Sequence, residues 1–110
     1  MKAYEFPWPS AKLSPNSRTH WRLKASLAAG QKRDWYFLAR GQYMPKGTHL
    51  RFVFCPPTGH RRDLDNLLAS CKHGIDGIAR HMGIDDKDFS FAVERGEVVK
   101  GGMVRIEILT

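Results

Sequence analysis

A stripe of apolar residues at helical spacing constrains the fold of this chain more than any other feature of its sequence. At about 100° per residue, seven apolar side chains fall on one side of a helix, centred near Cys71. These side chains are Leu64, Leu67, Leu68, Cys71, Ile75, Ile78 and Met82. A stripe this wide must pack on other apolar elements, so we predict a helix over residues 65–81 that faces a core.

Other patterns predict a second helix and four strands. Residues 20–40 place apolar side chains at roughly helical spacing between lysines and arginines, with a weak point at Gly30. Alternating, β-rich composition predicts strands over residues 2–6, 49–55, 89–99 and 103–109. The order β-α-β-α-β-β predicts an α+β fold, a mixed sheet of about four strands with two helices packed on it. Lys100-Gly101-Gly102 predicts a hairpin between the last two strands.

The size of the chain favours one domain. It has 110 residues, 42% of them hydrophobic, which is enough for a core of its own. We therefore interpret residues 1–110 as a single domain. No apolar run approaches the about 20 residues that cross a bilayer, so we expect no membrane partner and a cytoplasmic location. Cys55 and Cys71 are too few for a disulfide framework and are expected to be reduced and buried.

The charge of the chain points to a polyanionic partner. It has 18 Lys and Arg against 11 Asp and Glu, a formal net charge of +7. A positive surface favours nucleic acid because binding releases counterions from the phosphate backbone. A basic surface without such a partner remains the alternative at this point.

Two acidic clusters flank the predicted second helix. The first contains Asp63 and Asp65, and the second contains Asp85, Asp86 and Asp88. Each alone also fits a helix cap or a turn. Together they suit Mg²⁺, which takes oxygen ligands from one or two carboxylates, water and a substrate phosphate. In extended backbone, Asp63 and Asp65 would leave the chain on the same face and could share an ion.

Lys72 shares a face of the predicted helix with Asp65. Seven residues correspond to nearly two whole turns, and helical side chains lean toward the N-terminus. The ammonium group of Lys72 could therefore approach a phosphate bound at the acidic end. The alternative is an ion pair with Asp76, four residues further on.

The sequence Arg-Arg-Asp-Leu-Asp-Asn-Leu at residues 61–67, followed by Lys72 and by Asp85-Asp86, resembles the RusA family of Holliday junction resolvases. The resemblance is densest over residues 61–86. It implies a homodimeric endonuclease, dependent on Mg²⁺ with Mn²⁺ as a substitute, that resolves four-way DNA junctions by paired symmetric nicks in recombination and repair. It also implies a bacterial source, with a phage or prophage gene.

The resemblance assigns roles to individual residues. Asp63, Asp65 and Asp86 correspond to the metal-binding catalytic acids, with Asp85 as a further candidate ligand, and Lys72 corresponds to the catalytic lysine. In some members of the family the lysine lies a turn closer to the second aspartate, where this chain has Ala69.

Four basic residues are candidates for binding the DNA backbone beside this site. They are Arg61 and Arg62, before the second helix, and Lys32 and Arg33, on the first. Two other functions fit the same residues. The chain could be a non-enzymatic basic DNA-binding module, or an endonuclease for other branched DNA.

Overall fold

The computed structural model describes residues 2–109 as a four-stranded sheet with helices packed on one face. The strands β1 to β4 are Ala3–Pro7, His49–Cys55, Ser90–Arg95 and Met103–Leu109, and the helices α1 to α3 are Trp21–Gly41, Leu64–Ser70 and Lys72–Met82. Two short 3-10 helices, Ala11–Leu13 and Asp86–Asp88, lie in the connections. The predicted α+β fold with a mixed four-stranded sheet is confirmed, although this part of the chain contains three α-helices instead of two.

The core lies between the helices and one face of the sheet. Alternation in β2 buries Leu50, Phe52 and Phe54, which pack beside Val104 and Ile106 of β4. The helical stripe contributes Cys71, Ile75, Ile78 and Met82 to the same cluster. The predicted apolar stripe is therefore confirmed as the core-facing side of the helices. The opposite face of the sheet carries an ion-pair network in which Arg51 contacts Glu94 and Glu107.

The predicted hairpin between the last two strands is wrong. The strand order is β1-β4-β2-β3, so β4 pairs antiparallel with both β1 and β2, while β3 pairs parallel with β2. β4 takes a central position because its Val104 and Ile106 are completely buried. After β3 the chain follows the end of β2, where Gly96 N–H donates to Phe54 C=O.

Gly101 and Gly102 serve this crossover instead of a tight hairpin. Both have positive φ, 79° and 75°, a region that favours glycine. A Cβ on Gly102 would lie 2.8 Å from the side chain of Trp8. The Gly-Gly signal therefore marks a turn, as expected, but the next strand pairs elsewhere because the core needs its apolar residues.

The predicted helix over residues 65–81 is two helices. They meet at Cys71, whose backbone lies at φ −100° and ψ 5°. In a continuous helix Gly74 N–H would donate to Ser70 C=O. Here the buried side-chain amide of Gln31 stands between them: its Oε1 accepts from Gly74 N–H at 2.9 Å and its Nε2 donates to Ser70 C=O at 2.9 Å. An inserted side chain of this kind is an established cause of helix kinks.

α1 and α3 cross at very short range through two glycines. A Cβ on Gly77 would lie 2.3 Å from the backbone oxygen of Lys32, and one on Gly74 would lie 2.3 Å from the ring of Trp35. Trp35, which is only 1% exposed, consequently packs flat against the backbone of α3. The pair therefore depends on the absence of side chains at these two positions.

Replacing Gly77 with alanine should separate the two helices. The added Cβ meets backbone, which cannot rotate away, so Gly77→Ala is expected to lower the free energy of unfolding by about 1–3 kcal/mol. Gly30→Ala on α1 is the matched control, since its Cβ would come no closer than 3.7 Å to the end of the flexible Arg33 side chain. That substitution should stabilise the protein by up to about 1 kcal/mol through helix propensity. Urea unfolding measures both, and equal effects of the two substitutions would contradict the packing described.

Candidate functional site

The start of α2 carries Asp63 and Asp65. Asp63 is the N-cap residue, with φ −79° and ψ 126°, and its carboxylate makes no capping hydrogen bond. Asp65 already belongs to the first helical turn. The expectation that both leave one extended segment on the same face is therefore wrong, because the helix begins between them. Asp63 lines a shallow cavity beside Trp8 and Asn66, whereas Asp65 lines a different one.

Asp65, Lys72 and Asp86 come together in one surface depression of about 290 Å³. We call it the acidic depression. Its remaining walls are Leu68, Ala69, Ile75 and Phe91. All three charged residues are exposed. The acids from the two ends of the helical segment therefore share one surface, and the lysine predicted to accompany Asp65 lies there as well.

Contacts within residues 2–109 give no structural role to the three charged side chains of the acidic depression. Within residues 2–109, no hydrogen bond or ion pair involves the side chains of Asp65, Lys72 or Asp86. The alternative for Lys72, an ion pair with Asp76, does not form. These side chains are free to meet a ligand from solution.

Asp85 has a structural task. Its carboxylate accepts a hydrogen bond of 3.0 Å from Lys87 N–H and so caps the short 3-10 helix that begins at Asp86. This cap orients the turn between α3 and β3. Asp85 therefore has the cap or turn role that the sequence allowed for the second acidic cluster, whereas Asp86 faces the acidic depression.

The break at Cys71 gives the depression its shape. Beyond the break, α3 packs along α1, whereas α2 packs against β2 and β3 and meets α1 through the bond from Gln31 to Ser70 C=O. Asp65 and Lys72 thereby approach Phe91 of β3 and the turn that contains Asp86. Gln31, which bridges the break, helps to set this geometry, and no local sequence signal indicates it because its partners lie 39 and 43 residues away.

The donor set of the acidic depression suits a hard cation. Asp65 and Asp86 offer carboxylate oxygens, which Mg²⁺ and Mn²⁺ prefer, and Mg²⁺ commonly takes one or two carboxylates and completes its shell with water and phosphate. In the part of the chain that the structure describes, no three His, Cys, Asp or Glu side chains lie close enough together to hold a metal ion. A site at this position would consequently rely on ligands from water and substrate.

The basic residues predicted to bind DNA lie in two places. Arg61 and Arg62 belong to the loop before α2, and Lys32 and Arg33 lie exposed on α1. Arg33 also pairs with Asp34 at 3.3 Å, an exposed contact of little energetic weight. Only the loop pair adjoins α2 and its acids.

Cys55 and Cys71 are free, buried thiols, as predicted. Burial raises the pKa of the Cys71 thiol because the thiolate would be desolvated. Cys71 therefore stays protonated at neutral pH and packs as an apolar side chain at the junction of α2 and α3.

A search with models of known protein families matches none to this chain. A bacterial protein from Xylella fastidiosa (strain Temecula1 / ATCC 700964) is 40% identical over 117 aligned positions, which cover 98% of this chain and 76% of that protein. The chain belongs to the same family as this protein. The relative bears the name "Uncharacterized protein", so the family membership itself assigns no activity. Among residues 2–109, no helix has the length and apolarity required to span a membrane.

Removing the Gln31 amide should destabilise the junction of α2 and α3. Gln31→Leu leaves Ser70 C=O and Gly74 N–H buried without partners, at about 1–3 kcal/mol for each group. Gln42 offers a matched control because its amide also bridges a backbone N–H and C=O, those of Glu5, but at an exposed strand edge. Water can replace that amide, so Gln42→Leu should cost less than about 1 kcal/mol. Chemical unfolding of both variants tests this, and similar losses would refute the bridging role of Gln31.

Proposed function

We propose that this protein is a Mg²⁺-dependent, structure-selective endodeoxyribonuclease that resolves four-way DNA junctions by paired symmetric nicks. The observation that carries the proposal is the convergence of Asp65, Lys72 and Asp86 on one depression, where their side chains have no hydrogen-bond or ion-pair partner among residues 2–109. Two carboxylates beside an unpaired ammonium group suit a cation and a phosphate together. The resemblance of residues 61–86 to the RusA resolvases supplies the reaction and the substrate.

The carboxylates would hold the metal ion. Asp65 and Asp86 are the ligands in the depression, and Asp63, at the N-cap, is the third acid that the resemblance assigns. The chemistry that Mg²⁺ would supply there is polarisation of a phosphate oxygen and a lower pKa for a coordinated water. Mn²⁺, with the same preference for oxygen, should substitute for it.

Basic side chains would bind and orient the strand. The ammonium group of Lys72 lies where it can stabilise negative charge that develops on the scissile phosphate. Arg61 and Arg62 would bind the backbone beside α2, and Lys32 and Arg33 would bind a more distant segment. These cations offset the repulsion between the acidic residues and DNA. Hydrolysis of the strand by the coordinated water would leave a 5′-phosphate and a 3′-hydroxyl, which a ligase can rejoin.

A homodimer would match the symmetry of the substrate. A four-way junction has two-fold symmetry, so two copies related by a two-fold axis place one site on each of two opposed strands. Phe37 on α1, which is 61% exposed, would be available for the interface between the two copies. We further propose that the protein acts in the bacterial cytoplasm, in recombination and repair, and that its gene is of phage or prophage origin.

Neutralising the carboxylates of the depression should abolish cutting but not binding. Asp65→Asn and Asp86→Asn are expected to lower the rate of junction cleavage in Mg²⁺ at least about 100-fold, since metal-ion stabilisation is worth several kcal/mol. Binding should be retained or become tighter because a negative charge is removed. The measurements are cleavage of a synthetic mobile junction and its affinity in EDTA.

Asp88→Asn is the matched control for these substitutions. Asp88 lies in the same exposed 3-10 turn as Asp86 but does not line the acidic depression, so cleavage should stay near the parent rate. If the parent protein binds junctions but never nicks them in Mg²⁺ or Mn²⁺, the protein is a non-enzymatic DNA-binding module. Equal cleavage of four-way, three-way and linear DNA at one salt concentration would instead contradict the junction preference.

A further inference from the structure

A further cavity adjoins a different face of α2 from the one that borders the acidic depression. It has a volume of about 310 Å³ and lies at the carboxyl ends of the parallel strands β2 and β3, beneath the loop of residues 56–62. Crevices at the carboxyl ends of parallel strands are common ligand positions in α/β sheets. Trp8, Phe54 and Val98 supply apolar walls, and Arg61, Arg62 and Arg95 supply the charge. We call it the arginine pocket.

The loop holds the guanidinium group of Arg62 in a fixed position. It donates to Thr58 C=O at 3.1 Å, to His60 C=O at 2.9 Å and to Thr58 Oγ1 at 2.9 Å. The same group lies over the ring of Trp8, 5.7 Å from its centroid. A guanidinium has five N–H donors, so two remain for a ligand. The guanidinium group and the indole of Trp8 both line the pocket.

The positive charge of the arginine pocket is not neutralised within the described chain. Arg95 donates to the backbone oxygen of Arg62 at 3.1 Å, and the side chain of Arg61 is exposed. The ion pairs within residues 2–109 involve other arginines, namely Arg33, Arg51 and Arg105. Three permanently charged groups thus surround an apolar cavity without a carboxylate, an arrangement that favours an anionic ligand with a flat apolar part.

We propose that the arginine pocket binds one unstacked nucleotide of a DNA strand, with the base against Trp8 and Arg62 and the phosphates on the arginines. Aromatic and guanidinium faces are the usual partners of unstacked bases. The volume is at the lower end of the about 300–1,000 Å³ typical of small-molecule pockets, which suits a single nucleotide and not a base pair. That the nucleotide belongs to DNA rests on the proposed function, whereas the preference of the pocket for a flat anionic ligand does not.

The position of α2 connects this pocket to the acidic depression. Leu64 and Leu67 line the arginine pocket, whereas Asp65 and Leu68, the next residue in each case, line the depression. A nucleotide held on one side would therefore fix the strand that passes the carboxylates on the other. Branch points suit this arrangement because a base with interrupted stacking leaves the duplex at the lowest cost.

Binding in EDTA to three DNA duplexes tests the proposal without cleavage. The first duplex carries one unpaired nucleotide, the second has an abasic residue at that position, and the third is fully paired. Fluorescence anisotropy at one salt concentration should show about tenfold tighter binding of the first than of the other two, in line with the energy of base–aromatic stacking. Equal affinity for all three would overturn the proposal.

Substitutions in the pocket should remove this preference. Trp8→Leu is expected to reduce the tenfold difference to less than about twofold, whereas Trp8→Phe should keep most of it. Arg61→Gln should weaken binding of the bulged duplex more than Arg80→Gln, a matched loss of one charge on α3 outside the pocket. Within residues 2–109 the side chain of Arg61 makes no hydrogen bond or ion pair, so this comparison holds even if Trp8→Leu is unstable. An unchanged preference in folded Trp8→Leu and equal effects of the two arginine substitutions would each refute the site.

Two further measurements show whether the pocket takes free nucleotides and whether the protein cuts junctions. A deoxynucleoside monophosphate that binds as tightly as the bulged duplex would show that the pocket takes free nucleotides, which contradicts the proposed strand contact. Junction cleavage in Mg²⁺, measured on the same parent protein, reports on the nuclease alone. If the protein prefers the bulged duplex but never cuts junctions, the proposed pocket is supported and the proposed nuclease is refuted. If it cuts junctions but shows no preference for the bulged duplex, only the nuclease is supported.

Discussion

The side-chain amide of Gln31 lies in the break of the helical ladder between α2 and α3. It accepts from Gly74 N–H and donates to Ser70 C=O, so both backbone groups remain paired inside the protein although they no longer pair with each other. Because of this break, α2 and α3 need not share one helix axis.

The close crossing of α1 and α3 supports this arrangement. Gly74 and Gly77 let the two helices approach until Trp35 and the backbone of Lys32 touch α3. Gln31 lies one residue before that contact, so its amide reaches the break only because the helices are so close. The position of the acidic depression therefore depends on how α1 and α3 pack together.

The two edge strands of the sheet differ in the surfaces that they offer to partners. At β1 the amide of Gln42 bonds both backbone groups of Glu5, which blocks that edge against another strand. At the other edge, β3 contributes Phe91 to the acidic depression and Arg95 to the arginine pocket. Both candidate binding surfaces therefore lie on the side of the molecule where α2 covers β3.

The sequence by itself determined which segments form helices and strands, and it indicated the acidic residues, because periodicity and composition act over a few neighbouring residues. It located β2 at residues 49–55 and the apolar stripe around Cys71, and it singled out Asp65, Lys72 and Asp86. Only the tertiary structure decided the strand order, the break at Cys71 and the partners of Arg62 and Arg95. The break and the bond from Arg95 to Arg62 depend on residues 33 to 43 positions apart, and the strand order pairs β1 with β4 from opposite ends of the chain; alternation and helical spacing do not encode such contacts.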